Sequence, residues 1–247
     1  MRATAIAAWV LGGALPAAAA DAGDAVLAPF VAEYDVRYGR MAVGSSRTEL
    51  ARAGSHWTME STSSATGLAR MIASGTLRQR SEFELLPEGP RPVSYLFDDG
   101  TRRTDRDVAL TFDWRAGRVH GTAEGEPVDL ATAEGLQDAA SMQALVLARL
   151  RAGREPGTIA MIEKDKVKYY RYTFLRRETI RTAIGELDTV VYRSARDGST
   201  RETITWHAPK LGFAAAQAEQ RSDGKRGFQT YIRRFEGDAP LHIREGD

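Results

Sequence analysis

The stretch Phe30-Val31-Ala32-Glu33-Tyr34-Asp35-Val36-Arg37-Tyr38 alternates with a period of two, which puts Phe30, Ala32, Tyr34, Val36 and Tyr38 on one face of an extended chain. This is the pattern of a half-buried strand. The same period recurs at Trp57, Met59, Ser61 and Ser63, over Leu77 to Leu85 and Val93 to Phe97, and at Val108, Leu110, Phe112 and Trp114. In the C-terminal half it returns near Val167 to Arg176, Glu178 to Ile184, Leu187 to Ser194, Arg201 to His207, Phe213 to Arg221 and Gly227 to Phe235. Turn residues separate these runs, among them Gly39-Arg40, Pro87 to Pro92, Asp99-Gly100, Gly185-Glu186, Asp197-Gly198 and Asp223-Gly224. Links this short join antiparallel neighbours, because a parallel pair needs a long crossover.

One helix interrupts the meander. Asp138 is the expected N-cap, and Ala139, Met142, Leu145, Val146 and Leu150 fall on one face before Gly153 ends the run. A shorter helical piece, Leu68 to Ala73, presents Leu68, Met71 and Ile72. A long antiparallel sheet must curl, close or split. The expected fold is therefore mainly β, a curved sheet or barrel-like meander packed on one central helix, with a short lid-like helix.

The 247 residues hold 43% hydrophobic and 27% charged side chains, a composition that excludes collagen-like, disordered and polytopic membrane chains. Arg2, the apolar run Ala3 to Leu15 and the small residues Ala17 to Ala20 read as a cleavable secretory leader, 1–20, followed by a linker, 21–28. One β-rich domain, 29–236, and a flexible tail, 237–247, complete the expected organisation. Of the 34 Lys and Arg residues against 33 Asp and Glu, the leader removes Arg2, so the mature chain carries no net charge. Such balance gives no global attraction to nucleic acid. The absence of cysteine excludes disulfides, thiolate chemistry and the lipid-bearing cysteine of a lipoprotein. No segment of the mature sequence has the roughly 20 apolar residues of a membrane-spanning helix. The expected location is the periplasm.

Motifs with a chemical mechanism are missing: there is no G-x-S-x-G, G-x-G-x-x-G, Walker loop or H-E-x-x-H, and His56, His120, His207 and His242 are scattered. No catalytic residue, metal site or cofactor is assigned. Ser222-Asp223-Gly224-Lys225 has S-x-x-K spacing but falls on a turn, and Asp98, Asp99, Asp105 and Asp107 read as solvated turn acids. Lys164, Lys166, Lys168, Arg171 and Arg176 interleave with aromatic residues and form a candidate patch for anionic envelope material, or a strand protected from edge aggregation. Trp57, Trp114 and Trp206 are candidates to line a cavity within a curled sheet, with Leu68, Met71 and Ile72 as its lid.

Taken together, Ala28-Pro29-Phe30 with Ala32, Tyr34 and Val36, Gly44, Phe112-Asp113-Trp114, Gly135-Leu136-Gln137-Asp138 to Ser141, and Trp206-x-Ala208-Pro209 resemble DUF3108, a family of exported bacterial proteins of unknown function. The resemblance spans about Phe30 to Phe235. It departs from the family where a Leu-Pro usually follows the Trp motif, since this chain reads Leu211-Gly212-Phe213. It implies a β-rich periplasmic protein and brings no catalytic residues; Gln137, Asp138, Ser141 and Pro209 are expected to be structural. The leading expectation is a non-catalytic binding protein with an apolar cavity for a lipid or acyl-bearing envelope component. An envelope assembly factor acting through protein contacts is the alternative, and a hydrolase of envelope polymers the residual one.

Overall fold

The computed structural model describes residues 26–67 and 75–237. The expected leader, most of the expected linker, the expected helical piece Leu68 to Ala73 and the tail beyond Gly237 lie outside the described residues. The strands are β1 (Phe30–Tyr38), β2 (Met41–Ala53), β3 (His56–Ala65), β4 (Thr76–Leu86), β5 (Gly89–Asp98), β6 (Val108–Asp113), β7 (Arg118–Ala123) and β8 (Glu126–Ala131). After helix α1 (Ser141–Arg151) come β9 (Thr158–Glu163), β10 (Lys166–Thr182), β11 (Gly185–Arg196), β12 (Arg201–His207), β13 (Ala215–Ser222) and β14 (Lys225–Gly237).

All fourteen form one antiparallel sheet in the order 8-7-6-5-4-3-2-1-14-13-12-11-10-9. The chain therefore enters at the middle, walks by hairpins to the β8 edge, crosses through α1 to the opposite edge at β9, and walks back until β14 pairs with β1. Phe30 sits opposite both Gly237 and Leu50, so β1 is the seam joining the two halves. The sheet is open rather than a closed barrel: among the described residues no ladder joins β8 to β9. It nevertheless curls until its ends meet. Lys164 in the β9–β10 turn lies 2.6 Å from Glu124 in the β7–β8 turn. On the same side the Gln137 backbone forms a parallel bridge to Met161, donating to Ala160 O at 2.9 Å and accepting from Ile162 N at 2.8 Å, which covers part of the free β9 edge.

The main core unites Leu50, Trp57, Phe83, Phe112, Val119 and Ile232 with Leu136 and Leu147, so it takes residues from both halves of the sheet and from α1. The helix is apolar on more than one side and is correspondingly buried. Its Leu145 packs with Ile159, Val190 and Tyr192, and Leu145 Cδ1 would lie 2.6 Å from a Cβ built on Gly89 of β5.

Several sequence expectations need correction. The helix starts at Ser141 rather than Asp138, and its N-cap is Ala140, which has no side-chain cap. Asp138 instead acts from two residues upstream. The two strands expected over Val167 to Ile184 are one 17-residue strand, β10, bent by an irregularity between Phe174 and Arg176. The Pro87 to Pro92 segment is not all turn, because Pro90 and Pro92 already belong to β5. Strands β2, β7, β8 and β9 were not expected.

Candidate ligand cavity

Alternation along the strands aims a fixed set of side chains at the inside of the curl. On α1, Met142, Gln143, Val146 and Leu147 recur at helical spacing and, with Ala139 just before the helix, face a cavity of about 340 Å³. Its walls are completed by Phe30 and Tyr34 of β1, Ser46 and Thr48 of β2, Met59 of β3, and residues of β10 to β14. The lining thus mixes aliphatic and aromatic groups with hydroxyls.

Four of the lining hydroxyls, those of Ser46, Thr48, Tyr172 and Ser194, are already paired. Thr48 Oγ1 and Ser61 Oγ are 3.0 Å apart across the β2–β3 ladder, and Ser63 Oγ donates to Ser46 Oγ at 3.0 Å while Ser46 Oγ donates to Thr62 O at 3.1 Å. Tyr172 is hydrogen-bonded to Ser194, its partner across the β10–β11 ladder, and burial pushes the Tyr172 and Tyr34 phenols upward, so both keep their protons. A satisfied hydroxyl costs little to cover with an apolar ligand, because its hydrogen bond survives.

His207 is different. The 3₁₀ turn Pro209–Leu211, with Pro209 at its start and Gly212 in the left-handed region at its end, returns the chain so that Phe213 O lies 2.9 Å from His207 Nδ1. A carbonyl only accepts, so Nδ1 carries the proton and Nε2 presents a lone pair. Nε2 has no partner, and burial holds the imidazole down at about 4, hence neutral at pH 7. His207 is part of the cavity lining. The Trp206 to Pro209 motif therefore shapes the wall through His207 and not through the tryptophan.

A second buried polar node fixes the approach to α1. Asp138 Oδ1 accepts the backbone N–H groups of Ala140 and Ser141 at 2.8 Å each, and Oδ2 accepts Ser81 Oγ of β4 at 2.6 Å. Ser141 Oγ accepts Asp138 N at 3.0 Å. Burial pushes the carboxyl up to about 6 despite these donors. Gln137 Nε2 donates to Pro90 O of β5 at 2.9 Å, while its Oε1 is buried without a partner. Together these side chains tie the helix entrance to β4 and β5, and the Gln137 backbone ties it to β9.

The tryptophans occupy other places. Trp57 is in the main core with the Arg52 guanidinium 5.6 Å from its ring centroid. Trp114 stacks on Phe112 and donates to Pro92 O at 2.5 Å. Trp206 packs with Val191 and Ile204 on the far face of β12 and donates to Glu178 Oε1 at 2.5 Å, with Arg176 over its ring. None of the three lines the cavity. Leu68, Met71 and Ile72 lie outside the described residues. The basic strand is also dispersed: Lys164 pairs with Glu124, Arg171 with Asp197 and Arg176 with Glu178. Alternation sets Lys166 and Lys168 on the face opposite Arg171. The oxygens of Asp98, Asp99 and Asp107 gather within 4.8 Å, but Asp98 and Asp99 accept the turn N–H groups of Gly100 and Thr101. Ser222 and Lys225 face each other across the β13–β14 turn, both exposed.

Sequence reasoning passed over Ser194, Thr203, Thr205, His207 and Tyr172, although Thr203, Thr205 and His207 stand at alternate positions of one strand. That spacing was the available signal. It was hidden because the apolar set of β12, Ile204 and Trp206, lies on the other face.

Residues 33–218 match the model of the family described as "Protein of unknown function (DUF3108)". Two solved structures resemble the chain. One is a candidate lipoprotein from Parabacteroides distasonis ATCC 8503, with 10% identity, 85% of this chain and 96% of that chain covered, and a TM-score of 0.37. The other is a candidate exported protein with a YmcC-like fold from Bacteroides fragilis NCTC 9343, with 9% identity, coverage of 85% and 94%, and a TM-score of 0.33. No curated protein matches the chain. No helix among the described residues is long and apolar enough to cross a membrane.

Proposed function

The chain belongs to the DUF3108 family, and from the cavity between α1 and the curled sheet we propose that it is an exported, periplasmic, non-catalytic binding protein for one acyl chain or a comparable hydrophobic ligand. The single observation that carries this reading is the cavity of about 340 Å³, inside the range of roughly 300–1,000 Å³ typical of small-molecule sites. Its apolar part comes chiefly from α1, β1 and β3, and the hydroxyls of Ser46, Thr48, Tyr172 and Ser194 are spent on neighbouring polar groups. Each methylene buried there gains about 0.8 kcal/mol. A chain of several methylenes is then retained through purification. The apolar leader, Ala3 to Leu15, supports export.

A second reading, an assembly factor, draws on one observation. Among the described residues β9 pairs with Lys166 to Arg171 of β10, so β10 from Thr173 to Thr182 has no described strand on its outer side, and Phe174 and Leu175 are exposed there. A strand of another protein could add to that edge.

The protein purified from its native envelope decides between them. Native mass spectrometry and an organic extract should show one acyl-bearing molecule per chain, lost on denaturation. A ligand-free mass with no lipid in the extract would overturn the binding reading and favour the edge-pairing one.

A further inference from the structure

We infer that the ligand of this cavity is a single-chain amphiphile with an anionic head, its chain beneath α1 and its head held at the cavity mouth by Arg201 and Lys225; this rests on the binding reading above. The cavity does not end at its own lining. Ser194 and Thr203 belong both to it and to a groove of about 690 Å³ at the sheet end formed by the β13–β14 turn. The alternation of each strand carries the same face from one space to the other. Along β12, His207, Thr205 and Thr203 of the cavity lead to Arg201 of the groove, and along β14, Thr230 leads to Phe228 and, past the register shift in the β13–β14 ladder, to Lys225 opposite Ser222. One continuous track therefore runs from an interior of apolar and hydroxyl groups to a charged mouth.

The charge of that mouth is not balanced by the protein. Arg201, Arg221, Lys225 and Arg226 line it with a single acid, Glu202. Glu202 lies 3.8 Å from Arg193 and 4.0 Å from Arg221, and the buried Glu219 takes Arg221 at 2.5 Å and Arg226 at 2.8 Å. Arg201 and Lys225 have no carboxylate within ion-pair distance among the described residues. Beside them, Tyr38 and Phe228 stand edge to face at 5.2 Å, each half exposed, an apolar rim that a ligand's first methylenes would cover. A carboxylate or phosphate monoester on a linear chain complements both parts of this track.

Calorimetric titration of the mature protein at pH 8 with decanoate, decyl phosphate and decan-1-ol tests the inference. Decanoate or decyl phosphate should bind at least about tenfold more tightly than decan-1-ol, as a charge-assisted hydrogen bond implies. The preferred head of the two identifies the anion. In the Arg201→Gln, Lys225→Gln double variant, the anionic ligands should fall to the affinity of decan-1-ol, whose own binding stays unchanged and reports an intact cavity. Equal affinity of acid and alcohol for the wild type, or a preference that survives the double variant, would overturn the anionic head while leaving the cavity reading standing. Failure of all three ligands to bind the wild type would overturn both.

Discussion

Two buried titratable side chains in opposite states sit close to the cavity, and their effects on stability run against each other. Asp138 is pushed up to about 6 by burial, with Ser81, Ala140 and Ser141 donating to it and Tyr95 close enough for its phenol to feel the carboxylate charge. The folded state therefore binds its proton more tightly than the unfolded chain, and its contribution is complete below the unfolded value and lost as pH rises through about 6. Burial holds His207 down at about 4 against the opposing hydrogen bond to Phe213 O, so its contribution is complete above its unfolded value near 6.5 and lost as pH falls toward 4. Each full window is worth on the order of 3 kcal/mol. The two slopes offset one another between about pH 4.5 and 6. Denaturant unfolding should accordingly give a nearly flat profile for the wild type, a stability that rises with pH for Asp138→Asn, and one that falls with pH for His207→Gln. Parallel profiles for all three proteins would show that neither group titrates as described. Asp138→Ala, which strips partners from two buried N–H groups and Ser81 Oγ, should cost about 3 kcal/mol at pH 7.

At the scale of elements, α1 docks where β5 offers no side chain. Gly89 has φ +132° and lies under Leu145, whereas Gly185, at φ +113°, has open space around its missing Cβ. Gly185→Ala therefore isolates backbone strain, about 1–2 kcal/mol, and Gly89→Ala adds the clash with α1, about 2 kcal/mol more. Thermal or denaturant unfolding of the two variants measures the difference, and equal costs would mean that α1 is not seated on β5. The elements also show what the sequence could and could not reveal. β1 was legible because its inner face, Phe30, Ala32 and Tyr34, is apolar and buried. β2 was not, because its inner face begins Gly44, Ser46 and Thr48 before reaching Leu50. Those hydroxyls face the cavity and the β3 hydroxyls, so the strand lacks the apolar alternation that a packed core would demand. Asp138 was recognised as a helix-start acid, but its bond to Ser81, 57 positions earlier, could not be read from local spacing.

For the whole molecule, the hairpin meander and the single helical crossover follow from turn residues and one helical period, while the closing pair β1–β14 joins residues about 200 positions apart and has no local signal. The cavity depends on that pair, since Tyr34 of β1 and Thr230 of β14 both line it. Basic residues looked like a patch in the linear order of β10, yet the fold concentrates unbalanced charge at Arg201 and Lys225, on β12 and β14. The central claim is that this curled sheet holds a ligand inside itself. Titration of decan-1-ol into the wild type and into Ala218→Leu tests it most directly, because Ala218 lines the cavity and a leucine there occupies the space without adding charge. The wild type should bind one equivalent, and Ala218→Leu should lose binding at least about tenfold while unfolding at a temperature no lower than about 5 °C below the wild type. Equal binding by both proteins, or none by the wild type, would contradict an internal ligand site.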